Sequence, residues 1–295
     1  MTIETISGSK GFSAVSIFVN DQIDKDALEG LKKNGVKKIL LRCAGHNNVD
    51  LKIAKELGIQ VYRVPEYSPY AVAEFATSLL MTLNRKTHKA YNRVRESNFS
   101  IEGLTGFDLH GKTIGLIGLG KIGTAFANIM QGFGCKILFY DPGLNQSPNK
   151  NWKQVELNHL ISNSKVISLH CPLTKDNHHL IGEEEFALMD PNSFLINTGR
   201  GALIDSKALI QALKTKQIAG AALDVYEEEQ DIFFHDCSQE GISDDVLSRL
   251  TSFPNVLVTS HQAFLTHEAL KQIAKITHEN YLAKSEVKQN PNRLV

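Results

Sequence analysis

Three closely spaced glycines between two apolar segments constrain the fold of this chain more than any other feature. In the stretch KTIGLIGLGKIGTAFANIMQGFGCKILFYDP, residues 112 to 142, an apolar run ends at Gly118, Gly120 and Gly123. A helical pattern follows, and a second apolar run stops at Asp141. A G-x-G-x-x-G sequence is weak evidence alone, but here it follows a predicted strand and opens a predicted helix. This order of strand, turn, helix, strand and acidic residue is typical of a doubly wound dinucleotide-binding fold.

The glycines and the acidic residue predict how such a fold holds a cofactor. Gly118 permits a tight turn, Gly120 lets a pyrophosphate approach the backbone, and Gly123 lets the helix pack closely on the strand. The phosphates then meet the N–H groups at the helix N-terminus. The carboxylate of Asp141 can accept hydrogen bonds from the adenine ribose and repels a 2′-phosphate. We therefore expect NAD and not NADP; the alternative is a glycine-rich turn beside a solvated aspartate.

Short β-branched runs alternate with amphipathic segments along the rest of the chain. Before the glycine motif, the predicted strands are AVSIFV (14–19), KKILLR (37–42) and IQVYRV (59–64), with helices near 24–33 and 50–57. From residue 112 onward, the predicted strands are TIGLIGL, KILFY, VISLH, SFLIN, AGAALDV and NVLVTS. Between the two groups, the apolar stripe that begins after Ser68 and Pro69 predicts one long helix reaching to about Arg93. The alternation predicts an α/β protein with a doubly wound parallel sheet and a smaller parallel unit.

Charge and cysteine usage exclude several classes of partner. Lys and Arg total 32 and Asp and Glu total 32, so no excess of basic charge favours nucleic acid or an anionic membrane. The chain shows neither a signal-peptide pattern at its start nor an apolar run of about 18 residues, which predicts a cytoplasmic protein. The four cysteines are far apart and form no C-x-x-C pair, so we expect reduced structural thiols and no metal site.

Seven motifs, in order along nearly the whole chain, give it a resemblance to a known family. They are RCAGHNNVD (42–50), VPEYSPYAVAE (64–74), NFSIEGLTGFDLHGKTIGLIGLGKIG (98–123), ISLHCPLT (167–174), INTGRGALID (196–205), ALDVYEEE (222–229) and SHQAFLT (260–266). The chain resembles the D-isomer-specific 2-hydroxyacid dehydrogenases, and the stretch DIFFHD (231–236) resembles their D-lactate branch. The resemblance implies an NADH-dependent, reversible reduction of pyruvate to D-lactate.

Three residues match the catalytic residues of that family. Arg200, in NTGRG, matches the substrate arginine, whose planar fork suits a carboxylate and a polarised carbonyl. His261 matches the general acid that protonates the carbonyl oxygen as hydride arrives at the carbon. Glu229 matches the partner carboxylate that orients the imidazole and favours its protonated form. It is chosen among three successive glutamates by its offset of five from Asp224, since such an acidic cluster is usually a solvated loop.

The resemblance also implies contacts with the cofactor and with a 2-keto or 2-hydroxy acid. On the cofactor side, the matching residues beyond the glycines and Asp141 are Lys121, Ile122, Cys171, Pro172, Asn177, Thr198 and Asp224. On the substrate side, Ala44 and Gly45 match a loop whose N–H groups bind the carboxylate, while Tyr67 and Phe264 match walls of the pocket. Each of these two aromatic residues could instead be plain core packing.

The family's architecture implies the domain organisation and the oligomer. It implies a Rossmann-like NAD-binding domain at 67–265, inserted into a flavodoxin-like substrate domain of 1–66 and 266–295, with the active site in the cleft between them. The counterpart of the helix that starts at Pro69 forms part of a two-fold interface in the family, which implies a homodimer or a dimer of dimers.

Two alternative functions stay open. One is a dehydrogenase for another small 2-hydroxy acid, such as glycerate, glyoxylate or hydroxypyruvate, or for a bulkier 2-keto acid. The other is an NAD-sensing binding protein like the family's transcriptional corepressors, which would not need an intact Arg200, Glu229 and His261.

The start of the chain departs from the family pattern. The relatives begin with an additional strand, helix and strand, whereas here only MTIETISGSKGF precedes AVSIFV. In a flavodoxin-like order the first strand would lie beside AVSIFV, so we expect that strand at an exposed sheet edge. We therefore expect a version extended at its N-terminus to be more stable and more active.

Overall fold

The computed structural model describes residues 5–229, 232–283 and 290–295. Its packing divides the chain into two compact units, one formed by Met1–Ser68 with Leu265–Val295 and the other by Pro69–Phe264. Each unit carries a parallel sheet, which confirms the predicted α/β class. That the smaller unit acts as a substrate domain stays a prediction.

The smaller unit is built on three described strands in the order β1-β2-β3. Its elements are β1 (Ala14–Ile17), α1 (Lys25–Lys33), β2 (Lys38–Leu41), α2 (Leu51–Glu56), β3 (Gln60–Tyr62) and, from the C-terminal part of the chain, α10 (His267–Leu282). Within the described residues, β1 pairs with β2 alone, so AVSIFV lies at a sheet edge as predicted. Residues 1–4 of the preceding lead lie outside the described residues, and Ile6–Ser9 form a 3-10 turn whose Ile6 is buried.

The larger unit holds the longer parallel sheet. Its elements are α3 (Pro69–Arg85), α4 (Thr87–Arg95), β4 (Thr113–Ile117), α5 (Lys121–Gly132), β5 (Lys136–Tyr140), β6 (Trp152–Gln154), α6 (Leu157–Asn163), β7 (Val166–Leu169), α7 (Glu183–Leu188), β8 (Phe194–Asn197), α8 (Ser206–Lys214), β9 (Gly220–Leu223), α9 (Asp245–Ser252) and β10 (Val256–Val258). The strand order is β10-β9-β8-β7-β4-β5-β6. Successive residues of one strand, such as Leu195 and Ile196, belong to different apolar clusters. The sheet is therefore buried on both faces, as a doubly wound fold requires. No described helix combines the length and apolarity that a membrane crossing requires.

The prediction of one long helix from Pro69 to about Arg93 is wrong. The helix stops at Arg85, and Lys86 adopts a left-handed conformation with φ of 52° before α4 begins. The Lys86 ammonium donates to the carbonyls of Gly103 and Thr105, at 2.9 Å each. These tertiary hydrogen bonds hold a backbone conformation that lysine rarely adopts.

The strand register brings the ends of six strands to one edge of the sheet. The last paired residues across the sheet, from β10 to β5, are Val258, Leu223, Asn197, Leu169, Ile117 and Tyr140. From β4 the chain adds β5 and β6 on one side and then crosses back to add β7 to β10 on the other side. Ligands of open α/β sheets bind outside the carboxyl ends of the strands at such a switch point, here between β4 and β7. The loops that follow these residues are therefore where a functional site is expected.

Candidate active site

The glycine loop follows β4 at this edge. Gly118 has φ of +92°, and a Cβ atom there would lie 2.6 Å from the backbone nitrogen of Cys171. A Cβ on Gly123 would lie 2.2 Å from the Gly118 carbonyl oxygen, whereas Gly120 has no atom within 4 Å of such a position. Only glycine fits at 118 and 123, and the space at Gly120 can admit a phosphate next to the start of α5. Lys121 and Ile122 are the first residues of that helix.

Asp141 directly follows β5, beside this loop. Its Oδ2 accepts a hydrogen bond from the Leu119 N–H at 2.7 Å, and its Oδ1 accepts one from the Gly143 N–H at 2.9 Å. The carboxylate is therefore fixed next to the glycine turn, and its contact with an adenine ribose stays a prediction.

The loop after β7 is shaped by Asn177. Its side-chain amide donates to the Pro172 carbonyl at 2.8 Å, and its Oδ1 accepts from the Thr174 N–H at 2.7 Å. Burial raises the pKa of the Cys171 thiol to about 11, so this thiol is protonated at neutral pH. The place of Cys171, Pro172 and Asn177 beside a cofactor stays a prediction. All four cysteines are free.

The loop after β8 carries Arg200. Asn197, which is fully buried, accepts from the Gly199 N–H at 3.0 Å and donates to the Arg200 carbonyl at 2.8 Å, so one side chain closes the turn. The Arg200 guanidinium donates to the Gly199 carbonyl at 2.7 Å. Thr198 Oγ1 is buried without a hydrogen-bond partner within the described part of the chain. A buried hydroxyl normally has a partner, so this atom fits a bound cofactor that accepts or donates there.

Gly201 brings the Arg200 loop into contact with the loop after β9. A Cβ atom on Gly201 would lie 2.0 Å from the carbonyl carbon of Tyr226 and 2.4 Å from the nitrogen of Glu227. Only glycine lets the two backbones approach this closely. The position of Arg200 is therefore coupled to the segment that leads to Glu229.

His261 and Glu229 form the central pair of the site. His261 Nδ1 lies 2.7 Å from Glu229 Oε1, and the two side chains are 15% and 20% exposed. Glu229 Oε2 accepts from the Tyr226 N–H at 3.0 Å, which fixes the carboxylate. A carboxylate on Nδ1 sets the tautomer of the ring, and the predicted role as general acid then falls to its other nitrogen, Nε2.

Asp224 holds the backbone around His261. It is fully buried; its Oδ1 accepts from Thr259 Oγ1 at 2.6 Å and the Gln262 N–H at 2.9 Å, and its Oδ2 accepts from the Ala263 N–H at 2.8 Å. Burial raises the pKa of Asp224, and these three hydrogen bonds oppose the rise. They also hold His261 at φ of 50°, a left-handed conformation that needs such support. A contact of Asp224 with the cofactor stays a prediction.

The predicted substrate residues are divided between the two units. Ala44 and Gly45 follow β2 in the smaller unit, where Arg63 donates to the Ala44 carbonyl at 3.1 Å. Tyr67 belongs to the smaller unit and the half-buried Phe264 to the larger one. Their roles as substrate contacts stay predictions.

Sequence reasoning missed four residues that shape this site. Thr259 lies outside the quoted motifs, and Asn197 is visible only as the first residue of NTGRG, because the roles of both depend on backbone geometry. Gly201 is visible in the sequence as part of NTGRG, but the close approach behind it is not. Phe234, whose ring centroid lies 6.1 Å from that of His261, comes from the DIFFHD stretch, of which Asp231 lies outside the described residues.

Comparison with known proteins connects this geometry with a family. Residues 77–263 match the family model described as D-isomer specific 2-hydroxyacid dehydrogenase, NAD binding domain. The chain is 52% identical to the D-lactate dehydrogenase of Escherichia coli strain K12, over 100% of this chain and 90% of that protein. It is 54% identical to 2-hydroxyacid dehydrogenase A of Aspergillus oryzae, over 95% of this chain and 81% of that protein.

Solved structures agree with the sequence comparison. The apo-structure of D-lactate dehydrogenase from Escherichia coli matches with a TM-score of 0.88 at 49% identity, over 100% of this chain and 89% of that one. The D-lactate dehydrogenase of Lactobacillus jensenii, solved with NAD⁺, matches with a TM-score of 0.79 at 33% identity, over 96% of this chain and 86% of that one.

Proposed function

The chain belongs to the D-isomer-specific 2-hydroxyacid dehydrogenase family, and we propose that it acts there as an NADH-dependent D-lactate dehydrogenase. The observation that carries the proposal is the pair of His261 and Glu229, 2.7 Å apart at the carboxyl edge of a sheet that also carries the glycine loop and Arg200. A proton donor, a carboxylate clamp and a dinucleotide site are the three parts that reduction of a 2-keto acid requires.

The proposed chemistry assigns one task to each side chain. NADH, when bound, supplies a hydride to the carbonyl carbon of pyruvate. Arg200 pairs with the pyruvate carboxylate through its planar guanidinium and polarises the carbonyl. His261 Nε2 gives its proton to the carbonyl oxygen and leaves a neutral imidazole, while Glu229 stabilises the protonated ring before transfer. In the reverse direction, His261 accepts the proton of the lactate hydroxyl.

Several of the chain's residues fit NAD. A dinucleotide would place its phosphates in the open space beside Gly120. It would also hydrogen-bond to the fixed carboxylate of Asp141 and to the buried hydroxyl of Thr198. Asp224 contributes by holding the His261 backbone, so we propose it as a positioning residue. Ala44, Gly45, Tyr67 and Phe264 are proposed substrate contacts from the family resemblance.

The test is NADH oxidation by the whole chain against pyruvate, hydroxypyruvate, glyoxylate and 2-ketoisocaproate, with chiral analysis of the product. We expect the highest kcat/KM with pyruvate, and D-lactate as the product. A higher kcat/KM with another keto acid would keep the reaction class and change the substrate. Absence of turnover with all four, together with intact NADH binding, would favour an NAD-sensing protein and contradict the proposal.

A homodimer or dimer of dimers is the proposed assembly. Much of the apolar stripe of α3 is buried within its own unit, since Leu79, Leu80 and Leu83 belong to an apolar cluster of that unit. The exposed apolar side chains come later: Tyr91 and Val94 on α4 are 63% and 52% exposed, and Phe99 and Ile101 after it are 74% and 83% exposed. Such a patch favours burial in an isologous interface. Light scattering at micromolar concentration should give at least a dimeric mass, and a monomeric mass would contradict the assembly.

We also propose that the protein works in the cytoplasm. Its four cysteines are free, and burial keeps two of them, Cys135 and Cys171, as thiols with pKa values of about 11. Free thiols of this kind suit a reducing compartment.

A further inference from the structure

A second polar cluster lies outside the residues assigned to catalysis. It consists of His178 and His179, from the loop between β7 and α7, and Glu227, from the loop after β9. One nitrogen or oxygen atom from each residue lies within 4.8 Å of the other two. The two imidazole rings have centroids 4.0 Å apart, and His179 Nε2 is 2.5 Å from Glu227 Oε1. Two ring nitrogens and a carboxylate oxygen are thus within reach of one point.

A second layer of side chains orients these groups. Asp205 Oδ2 lies 3.7 Å from His179 Nδ1, and Ser206 Oγ donates to Glu227 Oε2 at 3.0 Å. A carboxylate hydrogen-bonded to the other nitrogen of an imidazole is the usual outer partner of a metal-binding histidine. At 3.7 Å, Asp205 lies just beyond hydrogen-bond distance, so a small side-chain rotation brings it into that role and leaves Nε2 as the coordinating atom.

The backbone of His179 is held in the left-handed conformation, which residues other than glycine adopt uncommonly. Its φ is 54°, and its N–H donates to the Ala202 carbonyl at 2.8 Å. Left-handed backbone in a residue other than glycine is unfavourable and persists only where neighbours enforce it. The His179 ring is therefore presented by a fixed loop, next to the half-buried Glu227.

We propose that His178, His179 and Glu227 bind a divalent transition-metal ion, with Zn²⁺ the best match, and that this ion inhibits the dehydrogenase. Imidazole and carboxylate ligands suit Zn²⁺, whereas Mg²⁺ and Ca²⁺ prefer oxygen ligands alone. Metal–ligand distances of about 2.0–2.2 Å place neighbouring ligand atoms roughly 3.0–3.5 Å apart. The His179–Glu227 pair must then open by at most about 1 Å and His178 approach by about 1.5 Å, which side-chain rotation supplies.

Inhibition follows from where Glu227 sits. It lies two residues before Glu229, and the backbone of Tyr226 and Glu227 is in close contact with Gly201, next to Arg200. A metal ion that binds Oε1 of Glu227 replaces the hydrogen bond between Glu227 and His179 and so shifts the backbone of Tyr226 and Glu227. Small displacements of groups that position a substrate reduce turnover steeply.

The experiment compares wild type with His178→Ala and a matched control, His159→Ala. Both histidines are exposed, neither belongs to the proposed catalytic machinery, and His159 lies on α6, away from the cluster in sequence. Pyruvate reduction is measured in a chelator-free buffer over a ZnCl₂ series. We expect similar rates for all three proteins without metal, and inhibition of wild type and His159→Ala. We expect His178→Ala to need at least about tenfold more Zn²⁺, because it loses a proposed ligand and the loss of an outer partner alone typically costs about 10–100-fold in metal affinity.

A readout independent of turnover is the visible absorption of Co²⁺ added to the same three proteins. The ligand-field band should develop in wild type and His159→Ala and be lost or weakened in His178→Ala. Equal Zn²⁺ sensitivity and equal Co²⁺ spectra in all three would place the ion elsewhere, for instance on His261 and Glu229, and overturn the proposal. A Co²⁺ band that depends on His178, without inhibition by Zn²⁺, would keep the site and overturn its inhibitory role.

Discussion

Replacement of Gly201 by alanine tests whether the Arg200 loop and the segment before Glu229 act as one unit. The added Cβ atom would lie 2.0 Å from the Tyr226 carbonyl carbon, 2.2 Å from its oxygen and 2.4 Å from the Glu227 nitrogen. Carbon atoms in contact are normally about 3.5 Å apart, so the two backbones must separate by about 1.5 Å. All three clashing atoms belong to the backbone, and no side chain can rotate to relieve the overlap.

The expected loss follows from that displacement. A misplacement of about 1 Å in a positioning group can cost about 10²-fold in rate, and overpacking typically costs about 1–3 kcal/mol of stability. We therefore expect Gly201→Ala to lower kcat for pyruvate by about 10²-fold. We also expect it to lower the free energy of unfolding by about 1–3 kcal/mol.

The assay is steady-state NADH oxidation with pyruvate, together with urea unfolding of the same preparations. Gly132→Ala is the matched control, because Gly132 ends α5, is exposed and has no atom within 4 Å of its added Cβ. It should leave both quantities nearly unchanged or stabilise slightly. Wild-type kcat and stability in Gly201→Ala would refute the coupling.

Three further changes test the other parts of the site. Arg200→Lys keeps the charge but loses the planar group that can make two hydrogen bonds, so KM for pyruvate should rise strongly. An unchanged KM would mean that another residue binds the carboxylate. Asp141→Ala should narrow the preference for NADH over NADPH in kcat/KM, whereas a wild type that already prefers NADPH would refute the cofactor assignment. Since burial raises the pKa of Cys171 to about 11, its alkylation rate should rise about tenfold per pH unit between pH 7 and 10 and fall when NADH is added. If the alkylation rate at Cys171 depended neither on pH nor on NADH, the proposed position of Cys171 beside the cofactor would be contradicted.

Much of the larger unit could be predicted because buried parallel strands leave a strong local signal. Runs such as KILFY and SFLIN coincide with β5 (Lys136–Tyr140) and β8 (Phe194–Asn197), since strands that pack apolar side chains on both faces of a sheet are largely apolar. The glycine spacing was equally informative, because Gly118 and Gly123 are required by backbone contacts only a few residues away. The family assignment and NAD as cofactor are confirmed by the match over 77–263.

Other features depend on contacts that sequence periodicity does not contain. The break at Lys86 has no glycine or proline beside it and is held by carbonyls of the 103–105 segment. The short strand β6 escaped prediction because only Trp152 of its three residues is buried. The contact of Asp224 with the cofactor stays a prediction, whereas its hydrogen bonds to the 259–263 loop depend on the pairing of β9 with β10, which periodicity does not contain. The loop geometry that joins His178, His179 and Glu227 likewise exists only in three dimensions.

The most direct test of the account is the turnover of His261→Gln, measured beside its NADH affinity. Glutamine keeps a polar side chain of similar reach but cannot act as a general acid. We expect kcat for pyruvate reduction to fall by about 10²-fold or more, while the Kd for NADH, measured by fluorescence, stays close to wild type. Turnover within a few-fold of wild type, with intact NADH binding, would contradict the central role of the His261–Glu229 pair.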